Sequence, residues 1–192
     1  PFFEQQPAAQ LKAVAEVEIA KLQAAAGAEG VTFCRGPMRM GSSAIPGMPG
    51  SAMVDLVVEF PELDPPPPAL TATLMAAGYE YRGKSPHDPQ DHWAMGGEGP
   101  KGSLGRACLH LSPPGSGFMD RAVAFVGYLS ADPGAHAAYA GVKLEGARRA
   151  AEGGEGGGDR HAAYKKHKQA TVARLMGESK VWAGAGGGGG GG

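Results

Sequence analysis

The sequence predicts an α+β fold, a mixed sheet with flanking helices. Two observations favour it: one amphipathic helical segment precedes a group of short strand-like segments, and further helical segments follow that group. This order is typical of a sheet that carries its helices on one side. The chain has 192 residues, of which 42% are hydrophobic, so it suits one domain with a sizeable core.

Five helices are predicted from apolar residues at helical spacing and from capping residues. Pro7 fits the first turn of the first helix, where a missing N–H costs nothing. Asp132 with Pro133 forms a good N-cap and first-turn pair, and Asp159 can cap the last helix after a Gly-rich break. Gly177 is expected to follow the end of that helix. The predicted helices cover residues 7–26, 70–77, 118–129, 133–151 and 159–175.

Strands are predicted over residues 31–34, 53–60, 79–82, 91–95 and 106–112, and the Gly- and Pro-rich stretch 36–51 is predicted as a loop. The strand over 53–60 is apolar on both faces, which indicates a central, covered strand. Asp55 therefore lies in an otherwise apolar run. In the strand over 106–112, Leu109 and Leu111 share one face, while Cys108 and His110 share the other.

The domain boundaries follow from composition. Residues 1–27 are expected to form a helix packed on the domain, residues 28–178 the domain itself, and residues 179–192 a Gly-rich flexible tail. The chain begins at Pro1 rather than Met, so we expect a piece of a longer product.

Composition also argues against several classes of protein. No run of eighteen apolar residues is present, so no membrane span is predicted. Cys34 and Cys108 are too few for a disulfide framework, which indicates buried free thiols in a reducing compartment. Cytoplasm is the default localisation, with an organelle or a cytoskeletal assembly as the alternative.

Charge is distributed unevenly along the chain. Residues 1–140 carry 9 basic and 14 acidic side chains, a net charge of −5, whereas residues 141–192 carry 9 and 5, a net charge of +4. We interpret the basic end as a solvated helix face, because so weak a stripe does not favour a nucleic-acid partner.

The segment from Arg39 to Val58 places a Gly-Ser turn shortly before the strand that carries Asp55. Glycine allows a close approach to phosphate, Ser hydroxyl and backbone N–H groups can hold phosphate oxygens, and a carboxylate can bind Mg²⁺. The phosphate-binding candidates are Gly41, Ser42, Ser43, Arg39 and Arg82, with Asp55 as the metal ligand. Arg39 also fits an interface residue, and Arg82 a surface ion pair. His110 and Lys168 are further candidates for the same pocket, but His110 fits a hydrogen-bonded histidine on the sheet face equally well, and the Lys168 stem is expected to cover a buried Tyr164.

This segment, Arg39-Met-Gly-Ser-Ser-Ala-Ile-Pro-Gly-Met-Pro-Gly-Ser-Ala-Met-Val-Asp-Leu-Val-Val, resembles the signature of the GrpB family. The resemblance continues in segments 78–83, 109–111, 125–133, 139–143 and 159–168, and spans about residues 31–175. It implies the nucleotidyltransferase superfamily, whose fold is shared with the polymerase-beta catalytic domain. Such transferases use a Gly-Ser motif, two carboxylates one residue apart on a strand, and a third carboxylate on a neighbouring strand.

The sequence departs from these patterns at several points. Val57 stands where the second carboxylate is expected, and Glu59 lies roughly 13 Å along the strand from Asp55. No acid stands on the strand over 106–112. Arg39, Ser51 and Val126-Gly127 replace the family's usual His, Lys and Arg-Asp.

Two functions follow as hypotheses. The first is a non-catalytic interaction or structural module with a degenerate transferase site, whose partners are other protein subunits. The alternative is a Mg²⁺-dependent enzyme that binds a nucleoside triphosphate, with Arg39, Arg82 and His110 converging on the same cleft. For Asp55 itself, a purely structural role, accepting hydrogen bonds from the Gly-Ser loop, stands beside the catalytic one. A metal site around the turn 87–92 is less favoured than a polar hairpin loop.

Overall fold

The protein is described by a computed structural model that covers residues 8–49, 53–84, 92–96, 106–152 and 160–187. The side chains of residues 8, 81–84, 92–96, 106, 152 and 160–162 lie outside this description. The helices are α1 (Ala8–Ala28), α2 (Pro68–Ala76), α3 (Phe118–Ala131), α4 (Pro133–Glu152) and α5 (Arg160–Trp182). The strands are β1 (Arg35–Met40), β2 (Met53–Glu59), β3 (Tyr79–Lys84), β4 (His92–Gly96) and β5 (Arg106–Ser112). A single 3₁₀ turn covers Ser42–Ala44.

The strands form one five-stranded sheet in the order β1-β2-β5-β4-β3. β2 and β5 run parallel, and the other neighbouring pairs are antiparallel. The sheet is therefore mixed, and the predicted α+β class is confirmed. β2 and β5 are interior strands, which places the Asp55-bearing strand near the centre of the sheet, as its apolar sequence predicted.

One face of the sheet packs against α1 and α2. The apolar side chains of β2 and β5 on this face alternate with those on the other face, as the period of a strand requires. The predicted facing of Leu109 and Leu111 is confirmed, since both are fully buried in this core. The core residues on this face include Leu11, Leu22, Val54, Leu56, Val58, Leu70, Leu74, Ala107, Leu109 and Leu111.

The other face is covered as well, so the expectation of helices on one side only is wrong. The Phe118 ring of α3 lies 5.8 Å from the His110 ring of β5. Val57, on the same face as His110 by register, is fully buried. A strand that is apolar on both faces needs a cover on both faces, and the order of elements along the chain does not say which helices supply each cover.

β1 lies mostly where the sequence predicted a loop, and residues 31–34, predicted as strand, are not in a strand. Arg39 and Met40 pair antiparallel with β2, after an irregularity that contains Gly36 and Pro37. Pro is tolerated there because β1 is an edge strand. Pairing with β2 therefore outweighs the loop-like composition of this segment.

α5 extends beyond its predicted end and runs through Gly177 to Trp182. A helical Gly costs about 1 kcal/mol relative to Ala, but the last turns pack on α3. Ser179 is buried, and the Trp182 ring lies 6.1 Å from that of Tyr128. Residues 179–182 are thus helical rather than part of a flexible tail.

The two thiols and the start of α4 test smaller expectations. Cys34 is exposed and Cys108 half-buried, so the expectation that both thiols are buried is wrong. Asp132 accepts a hydrogen bond from the Ala135 N–H at 2.8 Å, which confirms the predicted cap of α4.

Residues 85–91, with the polar turn, and the break at 153–158 lie outside the described residues. Within the described residues, no helix is both long enough and apolar enough to span a membrane.

Candidate functional site

Asp55 occupies the middle of the face of the sheet that α3 covers. By register it pairs with Met40 on one side and Cys108 on the other. Cross-strand partners point to the same face, so the carboxylate and the Cys108 thiol are neighbours. About a third of the Asp55 side chain remains exposed. The carboxylate is therefore accessible, although the neighbouring β2 residues Val54 and Leu56 are fully buried.

The Gly-Ser loop closes one side of the Asp55 carboxylate. Gly41 has φ +64°, and a Cβ built on it would lie 2.9 Å from Asp55 Oδ2. This is a position where the backbone conformation and the close approach both require glycine. The loop therefore holds its backbone directly against the Asp55 carboxylate, whereas the sequence predicted a close approach of Gly41 to a phosphate.

The serines of the loop have different surroundings. Ser43 is buried, and its hydroxyl donates to the Met40 carbonyl at 3.2 Å, which fixes the turn. Ser42 is half-exposed and begins the 3₁₀ turn. Within the described residues, no hydrogen bond runs from this loop to the Asp55 carboxylate; its side-chain partner there is His110. In a structural role, Asp55 would therefore be paired with His110 rather than with the Gly-Ser loop, which was the expected partner.

His110 lies beside Asp55 on the neighbouring strand. Its Nε2 is 3.4 Å from Asp55 Oδ1, and its ring packs near Phe118. Burial alone lowers the pKa of the imidazole, but the hydrogen bonds with Asp55 and Cys108 outweigh it and raise the pKa of His110 to about 10. The His110–Asp55 pair is then an ion pair at neutral pH.

Two lysines approach Asp55 from the helical side. Lys143 on α4 is only 5% exposed, and its Nζ lies 5.3 Å from the centre of the Tyr139 ring. Lys168 on α5 has the same relation to Tyr164, at 4.7 Å. Residues four apart share a helix face, so each tyrosine supports its lysine by a cation–π contact. The expected packing of the Lys168 stem on a buried Tyr164 is confirmed.

Asp55 affects the pKa values of Lys143, Lys168 and Tyr139. Burial and the neighbouring ammonium of Lys168 lower the pKa of Lys143 to about 7, while the attraction of Asp55 opposes that shift. Burial also lowers the pKa of Lys168, and again Asp55 opposes it. Burial raises the pKa of Tyr139 above its usual value, and the Tyr164 hydroxyl and Asp55 raise it further. Asp55 therefore interacts electrostatically with Lys143 and Lys168, in addition to its contact with His110.

The donor set does not fit the Mg²⁺ of a transferase. Mg²⁺ requires hard oxygen ligands, but the position of the second carboxylate is held by the buried Val57. Glu59 is also buried, and its carboxylate lies 3.5 Å from Arg35 Nη1. The described neighbours of Asp55 on β5 are a thiol and an imidazole. These residues therefore do not support a Mg²⁺-dependent reaction at this site.

The strands place the two arginine candidates apart from Asp55, Arg39 on the opposite face of the sheet and Arg82 on a strand that is not adjacent to β2. Arg39 pairs by register with Leu56, which faces the α1 and α2 side of the sheet. Arg82 lies in β3, at the edge of the sheet and separated from β5 by β4, and its side chain lies outside the described residues. Gly41, Asp55, His110 and Lys168 are the predicted residues that the structure brings together.

Sequence reasoning misses Lys143 and Cys108 as site residues. The sequence indicates a buried structural thiol for Cys108, and it gives Lys143 no role beyond its place in a family segment. A signal for Lys143 is present: the spacing Tyr-x-x-x-Lys occurs at 139–143 and again at 164–168. The repeated pair predicts two similar lysines on two helices, although not that they meet.

The comparisons with known proteins agree with this architecture. The family model described as GrpB protein matches residues 5–178. Among solved structures, the crystal structure of the conserved protein GrpB from Enterococcus faecalis aligns with a TM-score of 0.67 and 20% sequence identity, covering 93% of this chain and 98% of that one. No curated protein gives a significant match. The chain belongs to the GrpB family, which is nucleotidyltransferase-like.

Proposed function

We propose that this protein is a non-catalytic GrpB domain that binds an anionic, phosphate-bearing ligand without transferring nucleotides. The observation that carries this proposal is that the buried Lys143 on α4 interacts electrostatically with Lys168 on the adjoining helix α5, and that both interact with Asp55. Burying an ammonium group is costly unless it is paired with an opposite charge, and Lys143 is buried. A buried lysine beside a half-buried one on a second helix, Lys168, matches the requirements of an anion site better than those of a core.

The charge of the pocket supports this proposal. Beside the Asp55 carboxylate, His110 is protonated at neutral pH, and Lys143, with a pKa of about 7, is partly protonated there. Lys168 adds a second amine that interacts with Asp55. A surplus of positive charge in a partly buried site attracts anions, because charges interact more strongly there than in water. The Gly41 backbone and the half-exposed Ser42 lie at the edge of the same site.

We infer that the protein does not transfer nucleotides because the described residues of the site lack the set of carboxylates that a nucleotidyltransferase uses. A metal-dependent transferase of this superfamily needs a set of carboxylates, whereas Val57 and the Arg35-paired Glu59 leave Asp55 alone among the described residues of β2 and β5. The proposed role is then that of an interaction module, in which ligand binding adjusts contacts with other protein subunits. A Mg²⁺-dependent nucleotide enzyme is the alternative, and the same measurement decides between them.

The test combines binding with turnover. The full chain is incubated with ATP, CTP, GTP or UTP, with Mg²⁺ or with a chelator, and its thermal unfolding is recorded. A ligand at about a hundred times its dissociation constant adds about 2.7 kcal/mol to the free energy of unfolding. We expect stabilisation by at least one triphosphate without a need for Mg²⁺, and no transfer of labelled nucleotide.

Matched variants make the result specific. Lys143→Met and Lys168→Met are expected to abolish the ligand-induced stabilisation. Lys180→Met, which removes an exposed lysine on the same helix as Lys168, is expected to leave it unchanged. Mg²⁺-dependent nucleotide transfer that Asp55→Ala abolishes would overturn the proposal in favour of the enzyme.

A further inference from the structure

Three side chains of different chemistry meet on the face of the sheet that carries Asp55. Asp55 and Cys108 are register partners on parallel strands, and His110 follows Cys108 by two residues, so all three point to the same side. One ligand atom from each of these residues lies within 4.8 Å of the other two. The Nε2 of His110 and Oδ1 of Asp55 are 3.4 Å apart.

These separations are close to those of a tetrahedral zinc site. Zn²⁺ binds thiolate sulfur at about 2.3 Å and imidazole nitrogen or carboxylate oxygen at about 2.0–2.2 Å, which separates the ligand atoms by roughly 3.3–3.8 Å. The Asp55–His110 separation already falls in this range. Because the other separations are at most 4.8 Å, the remaining closure is on the order of 1 Å.

The ligand types select the metal. Thiolate and imidazole are soft or intermediate ligands, which suit Zn²⁺, whereas Mg²⁺ prefers oxygen alone. We infer that Asp55, Cys108 and His110 form a three-residue site for Zn²⁺ or a similar transition metal. Three protein ligands leave the fourth tetrahedral position open, as in zinc sites that bind water or an exogenous group.

The surroundings of the three residues suit this role. The side chains of Asp55 and His110 are 32% and 25% exposed, so a metal ion can enter from solvent. The Gly41 backbone limits the movement of Asp55, and the Phe118 ring packs beside His110. Such neighbours orient metal ligands.

The two lysines oppose a cation but do not prevent its binding. The Asp55 carboxylate and the Cys108 thiolate together offset the charge of Zn²⁺, and the Cys108 thiol and the His110 imidazolium each release a proton to solvent as the metal binds. Lys143 and Lys168 then favour an anion at the open position. The inference goes beyond the proposed function and does not rest on it, because metal binding can be measured in the absence of any phosphate compound.

The two cysteines provide a matched test. The full chain, freed of metal with a chelator, is titrated with Zn²⁺ against a coloured competing chelator, and with Co²⁺ by absorption spectroscopy. We expect one site, with a near-ultraviolet band from charge transfer between thiolate and Co²⁺. Changing an outer partner of a metal ligand already weakens affinity by about 10- to 100-fold, so Cys108→Ser is expected to weaken it by at least about 100-fold and to remove that band.

The exposed Cys34 serves as the control. Cys34→Ser is expected to retain both affinity and the band. His110→Gln and Asp55→Asn should weaken binding as well, and circular dichroism confirms that each variant is folded. Unchanged Zn²⁺ affinity in folded Cys108→Ser, or loss of the band in Cys34→Ser, would overturn the inference.

Discussion

The pocket has two halves of different character, one built on the sheet and one on the helices. The sheet half holds Asp55 against the Gly41 backbone and beside His110, with much of its geometry fixed by strand register. The helical half consists of two tyrosine–lysine pairs that α4 and α5 bring toward Asp55. The sheet half resembles a transferase site in its Gly-Ser loop and its Asp55 carboxylate. The helical half adds two lysines, whose charge is opposite in sign to that of Asp55.

The halves also differ in what they do for stability. The sheet half is held by backbone pairing and apolar packing, so its polar groups sit in a rigid frame. In the helical half, burial lowers the pKa of Lys143 to about 7, which means that the charged form is destabilising where it stands. A residue that opposes folding and is placed in a pocket is typical of a functional site.

The largest expected effect is on stability when the buried charge is removed. Lys143→Met should raise the free energy of unfolding below about pH 7 by a few kcal/mol, since a shift of one pKa unit corresponds to about 1.4 kcal/mol. Chemical denaturation at pH 6 measures this gain. Lys180→Met, at an exposed position, should change stability by less than about 0.5 kcal/mol.

The same variant has a pH signature. Because the pKa of Lys143 falls from 10.5 in the unfolded chain to about 7 in the folded one, the unfolded state binds the extra proton between these values. The contribution of Lys143 therefore makes stability rise with pH from about 7 to about 10.5, by at most about 1.4 kcal/mol per pH unit. Lys143→Met should lose that part of the slope, and an unchanged slope would show that Lys143 keeps an ordinary pKa.

A smaller effect is expected in the sheet half when Gly41 is replaced. Gly41→Ala places a Cβ against Asp55 Oδ2 at φ +64° and ψ −161°, a conformation found almost only for glycine, so it should destabilise the protein by about 1–3 kcal/mol from the backbone conformation alone. Gly141→Ala on α4, where a Cβ meets nothing within 4 Å, should instead stabilise by up to about 1 kcal/mol. Urea denaturation of both variants checks the contrast. Equal stability for the two would contradict the close approach of the loop to Asp55.

Neutralising Asp55 separates the two views of the pocket. In a metal-free cationic site the carboxylate repels an anion, so Asp55→Asn should keep or strengthen sulfate binding at pH 6, by on the order of a few-fold. A transferase site would instead lose triphosphate binding, because its metal ligand is gone. Titration calorimetry with sulfate in the presence of a chelator measures the affinity of Asp55→Asn and of the unchanged protein for the anion. Loss of sulfate binding in Asp55→Asn would contradict the cationic site and argue for a role of Asp55 in holding the ligand.

The smallest effect concerns α5, the helix that carries Lys168. Gly177 lies inside this helix, and a Cβ there meets nothing within 4 Å. Gly177→Ala should therefore stabilise the protein by about 0.5–1 kcal/mol, as a small rise in the thermal midpoint shows. A destabilised variant would mean that the helix ends near Gly177, as the sequence alone suggests.

The sheet half is predictable from sequence because its signals are local. Alternation along β5 separates Leu109 and Leu111 from His110, and an acid within the apolar β2 singles out Asp55. β1 is not predicted from the sequence because Gly36 and Pro37 are typical of a loop. Its pairing with β2 depends on residues distant in the chain, and local composition does not indicate it.

The helical half is predictable only in part. Family resemblance places Lys168 in the pocket, whereas nothing in the sequence assigns Lys143 to it. A lysine four residues after a tyrosine is compatible with a stem that covers a ring on the surface. That both lysines interact with the same carboxylate depends on how α4 and α5 pack against each other and against α3, and no spacing within either helix specifies that packing.

The central claim is that the helical half makes this pocket an anion site, and the pH dependence of sulfate binding tests it most directly. Sulfate keeps its charge from about pH 6 to pH 9, so any change in affinity reports on the protein. With a chelator present, affinity should fall about fivefold between pH 7 and pH 8 as Lys143 loses its proton, and Lys143→Met should bind weakly at both values. Binding that is independent of pH and equal in Lys143→Met would contradict the account.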